Sequence, residues 1–107
     1  MRDTRKTLCV DFDGVIHAYT RGWQAGEIYD DLTLGCRDAL CQLSMRYKLV
    51  CCTARHDVDA VRDYLREHEL LHLFEDVTNR KPAAVAYIDD RAVRFTDWEA
   101  VLASPES

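Results

Sequence analysis

Leu8-Cys9-Val10-Asp11-Phe12-Asp13-Gly14-Val15 is the stretch on which the reading of this chain turns. A short apolar run follows the basic pair Arg5-Lys6 and stops at Asp11, the pattern of a buried strand whose C-terminal end carries a carboxylate. Asp13 comes two residues later, and Gly14 lets the backbone bend straight after it, so the two carboxylates can surround one small volume. Acids held within a few ångströms repel each other. The pair persists if a cation sits between them or if one keeps its proton. Taken alone, Asp-Phe-Asp-Gly is equally well a turn at the end of a strand; the rest of the chain separates the two readings.

Residues 16–32 mix aromatic, glycine and acidic residues without a helical period, and read as a loop or small flap leaning over the Asp11 end. Cys36, Ala39, Leu40, Leu43 and Tyr47 then recur at helical spacing, predicting a helix over 34–46 with Thr33 as its N-cap. A second buried strand, 49–53, ends at Thr53 and leads through Ala54-Arg55-His56 into a helix from about Asp57. A weaker strand is expected at 75–78. After the break at Asn79-Arg80-Lys81-Pro82, a third clear strand, 85–90, ends in Asp89 and Asp90, and a short amphipathic helix follows around Trp98, Val101 and Leu102. Strands alternating with helices imply a parallel sheet with right-handed crossovers, whose ligands sit beyond the carboxyl ends of the strands. Each clear strand ends there in a chemically capable residue: Asp11 with Asp13, Thr53, and Asp89 with Asp90, while Lys81 lies in a loop able to return to the same edge. One link is tight: between the weak strand and the third strand there is no room for a crossover helix, so either that connection is extended or residues 75–78 do not join the sheet.

The 107 residues, 48% hydrophobic and 9% aromatic, suit one domain, 1–107, with one core. A net charge of -5 disfavours sequence-independent binding to nucleic acid or to an anionic membrane. No apolar run has the ~20 residues of a membrane span, and the polar start does not resemble a signal peptide. The five cysteines, Cys9, Cys36, Cys41, Cys51 and Cys52, are odd in number, sit mostly in apolar segments, and lack metal-binding spacing. They read as reduced core residues of a cytoplasmic protein, with a Cys51–Cys52 bridge excluded because neighbours in a strand face opposite ways.

A carboxylate attacking a phosphate ester must overcome repulsion between two anions. Oxygen donors such as Asp11, Asp89 and Asp90 suit Mg²⁺, which lowers that barrier, while Thr53 and Lys81 are placed to hold phosphoryl oxygens. Asp13 is then the proton carrier. With these residues in this order the chain resembles the haloacid dehalogenase (HAD) superfamily of phosphohydrolases: Asp11-Phe-Asp-Gly-Val is similar to its first motif, Thr53 to its second, Lys81 to its third and Asp89-Asp90 to its fourth. The resemblance spans residues 8–90. It implies a Rossmann-like three-layer sandwich with a mostly parallel sheet, a nucleophile and metal ligand at Asp11, and an acid/base at Asp13 that binds metal through its backbone carbonyl. It further implies phosphate binding at Thr53, Ala54 and Lys81, and service of the metal by Asp89 and Asp90, directly or through water.

The 41 residues between Asp11 and Thr53 and the 27 between Thr53 and Lys81 are too few for the inserted cap domain that members with small substrates usually carry. The expected site is therefore open, and its specificity falls to the rim, a partner subunit or a large substrate. The Thr53-Ala54-Arg55 run and the segment from Lys81 to Arg91 are similar to small capless members and, loosely, to polynucleotide 3′-phosphatase domains. Arg55 is a candidate substrate clamp at the start of a helix, or else a surface ion-pair residue. Arg91 reads as a brace for a carboxylate, and His17 and Trp23 as packing residues of the flap with substrate contact as the rival reading. The expected partner is a phosphorylated small molecule or macromolecular end, with a homo-oligomer left open. Two other functions compete: a phosphoreceiver-like signalling domain, disfavoured because its acidic pair belongs on the first strand and its phosphoacceptor on a middle one, and a catalytically silent Mg²⁺- or phosphate-binding module.

Overall fold

The strand that ends at Asp11 lies in the middle of a sheet. The computed structural model describes residues 4–80, 82–89 and 93–105, with the backbone alone for Asp89, Val93 and Arg94. Its elements in chain order are β1 (Lys6–Asp11), α1 (Cys36–Ser44), β2 (Tyr47–Cys52), α2 (Val58–Glu67), a 3-10 turn (Leu71–Leu73), β3 (Phe74–Thr78), β4 (Ala86–Asp89), β5 (Val93–Arg94) and α3 (Trp98–Ala103). The sheet order is β3-β2-β1-β4-β5 and every pairing is parallel. This is an α/β fold compatible with a Rossmann-like arrangement. Among the described residues no helix is long and apolar enough to cross a membrane.

Alternation along β1 decides which way the core lies. Leu8 and Val10, with Phe12 just beyond the strand, are wholly buried. They share a core with Leu49 and Cys51 of β2, Ala86 and Ile88 of β4, Leu40 and Leu43 of α1, Val61 and Leu65 of α2, and Trp98 and Val101 of α3. All three helices thus cover the Leu8–Val10 face. Burying each such side chain contributes roughly 1.5–3 kcal/mol, so this one face carries most of the hydrophobic stabilisation.

The opposite face departs from expectation. A three-layer sandwich needs helices on both sides of the sheet, and among the described residues none lies on the Cys9 side. The reason is the length of the link from β3 to β4, about seven residues at ~3.3 Å each, which suffices to cross two strands but not to form a helix. At the described residues of the link, Val85 N–H donates to Thr7 O (2.9 Å) and the Tyr87 hydroxyl donates to Pro82 O (2.6 Å). The weak strand is genuine, and β3 joins the sheet with a register shift opposite Leu49 and Val50.

Element ends differ in instructive ways. α1 is shorter than its apolar spacing predicts, and it starts after Gly35, whose φ of 77° lies in the left-handed region that favours glycine. Thr33 does not cap it. Its hydroxyl instead donates to Val15 O and accepts from the Trp98 indole N–H (2.8 Å), tying α3 to the base of the flap. α2 and α3 are capped by Asp57 and Asp97, which accept from Ala60 N–H (3.0 Å) and Ala100 N–H (2.8 Å).

The cysteines also correct the sequence reading. Cys9 and Cys52 form a disulfide, with Cα atoms 6.1 Å apart. Register explains it. Cys9 pairs with Val50 across β1 and β2, so Cys52 is its diagonal neighbour on the same face, at a separation a bridge can span. The reading of five reduced cysteines therefore fails for these two, and with it their support for a reducing compartment. Cys36, Cys41 and Cys51 are free. Burial pushes the Cys36 thiol up to about 12, and pushes Cys51 up as well, with the Asp11 and Asp13 carboxylates adding to it. Buried neutral thiols are inert to alkylation. We expect maleimide to label one thiol, Cys41, in the native oxidised protein, three after denaturation and all five after denaturation with reduction, counted by mass spectrometry.

Candidate active site

Asp11 closes β1, half-buried, and its carboxylate accepts from Phe12 N–H at 2.8 Å. The chain then turns sharply. Phe12 O accepts from the amides of Ile16 (2.9 Å) and His17 (2.9 Å), and Gly14 N–H donates to His17 O at 2.8 Å. Gly14 holds φ at 82°, the left-handed region that the turn demands and that glycine tolerates without strain. This turn brings Asp13 back over the strand end. Since Asp11 pairs with Cys52, Thr53 follows one residue beyond it; since Val10 pairs with Ile88, position 89 ends the neighbouring strand beside Asp11. The parallel register thus gathers Asp11, Thr53 and position 89 at one edge.

Thr53 is buried. Its amide donates to Thr78 O (2.9 Å) and its hydroxyl accepts from Arg55 N–H (3.1 Å), a tight turn that aims the Arg55 side chain inward past exposed Ala54. Arg55 is 5% exposed. Its Nε donates to Asp13 Oδ2 at 2.8 Å and its Nη2 to Asp13 Oδ1 at 3.0 Å, a two-pronged pair. Nη1 donates to Gly26 O at 2.9 Å, and the guanidinium lies 5.0 Å from the centre of the exposed Trp23 ring. Arg55 is therefore not a surface ion-pair residue: its Nε, Nη1 and Nη2 each donate to Asp13 or to the flap.

His17 is the residue whose importance the sequence concealed. It is fully buried, with Nδ1 2.9 Å from Asp13 Oδ1, and its Nε2 accepts from Asp30 N–H at 3.0 Å. Phe12 stacks on its ring at 5.5 Å, while Tyr19, Tyr29 and Tyr64 meet it edgewise. The only hint in the sequence was the four-residue interval from Asp13, which a tight turn converts into contact.

The expected flap is a closed loop. Ala18 N–H donates to Asp31 O (3.0 Å) and Thr33 N–H to Ile16 O (2.8 Å), pinching its neck. Within it the Thr20 amide and hydroxyl both donate to Asp30 Oδ2 at 2.7 Å, and Arg21 lies over Tyr29. The Thr20 hydroxyl, and then its amide, hold the Asp30 carboxyl below its ordinary value, helped by the charge of Arg21. The Tyr64 hydroxyl donates to Asp30 O (2.8 Å), and burial raises its pKa.

The structure thus brings together Asp11, Asp13, Thr53 and Arg55 of the sequence-derived set. Lys81, Asp90 and Arg91, and the side chain of Asp89, lie outside the described residues. Among the described residues no group of three or more His, Cys, Asp or Glu side chains forms a metal cluster. Comparison of the chain with protein-family models, curated proteins and solved structures found no match.

Breaking the Arg55–Asp13 pair from one side leaves a buried charge without its partner, so Arg55→Ala should cost roughly 3 kcal/mol in urea unfolding. A double-mutant cycle with Asp13→Ala should show that the two losses do not add. Because the Asp30 pKa is depressed in the fold, the stability it supplies is present above 3.8, its ordinary value, and is lost as pH falls through the lowered value. Thr20→Ala should move the Asp30 carboxyl titration, followed by NMR, back up towards 3.8.

Proposed function

We propose that this chain is a Mg²⁺-dependent phosphomonoesterase of the HAD type, without a cap domain, working through an aspartyl-phosphate on Asp11. The observation that carries the reading is the placement of two carboxylates of different character at one edge of a parallel sheet. Asp11 ends the central strand, and Asp13 is turned back over it and held by Arg55 from the loop after β2. Ligand sites of such sheets lie at this edge.

In the first half-reaction an Asp11 carboxylate oxygen attacks phosphorus and the bond to the leaving oxygen breaks, that oxygen taking its proton from Asp13. In the second, water attacks the acyl phosphate and gives its proton to Asp13, returning the Asp11 carboxylate and releasing inorganic phosphate. The donors Thr53, Ala54 (through its backbone) and Lys81 would hold the phosphoryl oxygens. The oxygen-rich set fits a hard divalent cation: Asp11, the backbone carbonyl of Asp13, Asp89 and Asp90 would hold Mg²⁺. Bound there, the ion neutralises the charge that otherwise repels nucleophile from phosphate. Arg55 and His17 both hydrogen-bond the Asp13 side chain and so fix where its oxygens stand for these proton transfers.

The same occupancy favours a second reading. An acid/base whose oxygens are so fully engaged suits a silent Mg²⁺- or phosphate-binding module. A phosphoreceiver fits less well, because the polar strand ends occur here in a different order. The substrate follows from the open edge: a phosphorylated small molecule, or a macromolecular end that covers the site itself, with a second copy of the chain as an alternative roof.

Phosphate release from an aryl phosphate should be abolished by EDTA, restored by Mg²⁺, and lost by at least about a hundredfold in both Asp11→Asn and Asp13→Asn. Mg²⁺ binding by calorimetry without any release from a panel including 3′- and 5′-phosphorylated oligonucleotides would instead select the binding module.

A further inference from the structure

We propose that His17 is a positioning residue for Asp13 and that the flap, through the Asp30 amide, dictates which ring nitrogen it presents. The proposal deepens the phosphatase reading and rests on it for its kinetic consequence. An imidazole in the neutral form carries its proton on one nitrogen or the other, and the partner of each decides which. A backbone N–H can only donate. With Asp30 N–H aimed at Nε2 from 3.0 Å, Nε2 must accept, so the proton resides on Nδ1. Nδ1 lies 2.9 Å from Asp13 Oδ1 and donates to it.

The ring has little freedom to escape this role. Its side chain is fully buried among four aromatic rings, and its backbone belongs to the turn, through His17 N–H to Phe12 O (2.9 Å) and Gly14 N–H to His17 O (2.8 Å). Asp30 is fixed in turn by Thr20 on its carboxylate and by Tyr64 on its carbonyl. The chain of contacts runs from α2, through Tyr64 and Asp30, to His17 and Asp13. Arg55 grips the same carboxylate from the other side and Gly26 of the flap with its remaining nitrogen. Both orienters of Asp13 are therefore anchored in the flap. The position of the flap and the orientation of the Asp13 carboxylate are therefore tied together.

Two properties separate this from a packing role. The first needs no turnover. Nitrogen NMR of His17 should show Nδ1 protonated and Nε2 unprotonated, and the same tautomer should persist in Asp13→Ala, because the flap amide rather than Asp13 sets it. A wild-type ring protonated on Nε2, or a tautomer that changes in Asp13→Ala, overturns the proposal. The second is kinetic. Asn places an amide N–H₂ where Nδ1 stands, whereas Gln reaches towards the Nε2 position and abandons Asp13. His17→Asn should keep kcat within a few fold, while His17→Gln should lose about a hundredfold in kcat with KM little changed, as expected for a misaligned proton carrier. Equal losses in both variants, tracking equal losses in melting temperature, reduce His17 to packing and overturn the proposal. If the wild type releases no phosphate from any ester, the phosphatase reading fails and takes the kinetic consequence with it, while the tautomer still decides the structural half.

Discussion

Everything at the polar edge of this protein depends on the Asp13 carboxylate and the donors aimed at it. Arg55 approaches from the loop after β2 and His17 from the turn after β1, and each also holds a part of the flap. Without Asp13 a nearly buried guanidinium would lack its counter-charge, a far larger penalty than an exposed pair would incur. One acidic side chain thereby joins two strand ends and a loop.

The core makes this arrangement possible by leaving it alone. Leu8, Val10 and Phe12 send the hydrophobic burden of β1 to the helical face, where α1, α2 and α3 all pack. Cys9 and Asp11 take the other face, where a disulfide joins Cys9 to Cys52 and, among the described residues, no second layer of helices is found. A parallel sheet is usually covered on both faces by its crossover helices. Here one crossover is too short to contain a helix, so the bridge between β1 and β2 adds a covalent restraint close to the edge where Asp11 and Thr53 emerge. In the chain-entropy account, closing a loop of 43 residues contributes on the order of 4 kcal/mol.

The flap is held against the ends of β1 and β2 through His17 and Arg55. It is small, yet it is closed at its neck by backbone hydrogen bonds and stiffened by Thr20, Tyr29 and Tyr64. The aromatic residues in and against it serve two ends. Tyr19, Tyr29 and Tyr64 enclose His17, whereas Trp23 stays exposed above Arg55. A misplaced flap would therefore disturb both donors that hold Asp13.

From the sequence alone, the alternation of apolar runs determined the strands and helices and their parallel sense, and the polar residues ending the strands determined which edge holds Asp11, Asp13 and Thr53. These are local properties: periodicity and the position of the last apolar residue are written within a few neighbours of each site. The register of β1 against β2 was not written there, and register alone made Cys9 and Cys52 partners and put Thr53 beyond Asp11. Arg55 is 42 residues from Asp13, and Asp30 is 13 from His17, so no local pattern could announce that they meet. Burial and hydrogen-bond partners, which turned an apparent surface arginine and a packing histidine into the two orienters of one carboxylate, are properties of the assembled fold, because only there does each donor find the acceptor that water would otherwise supply.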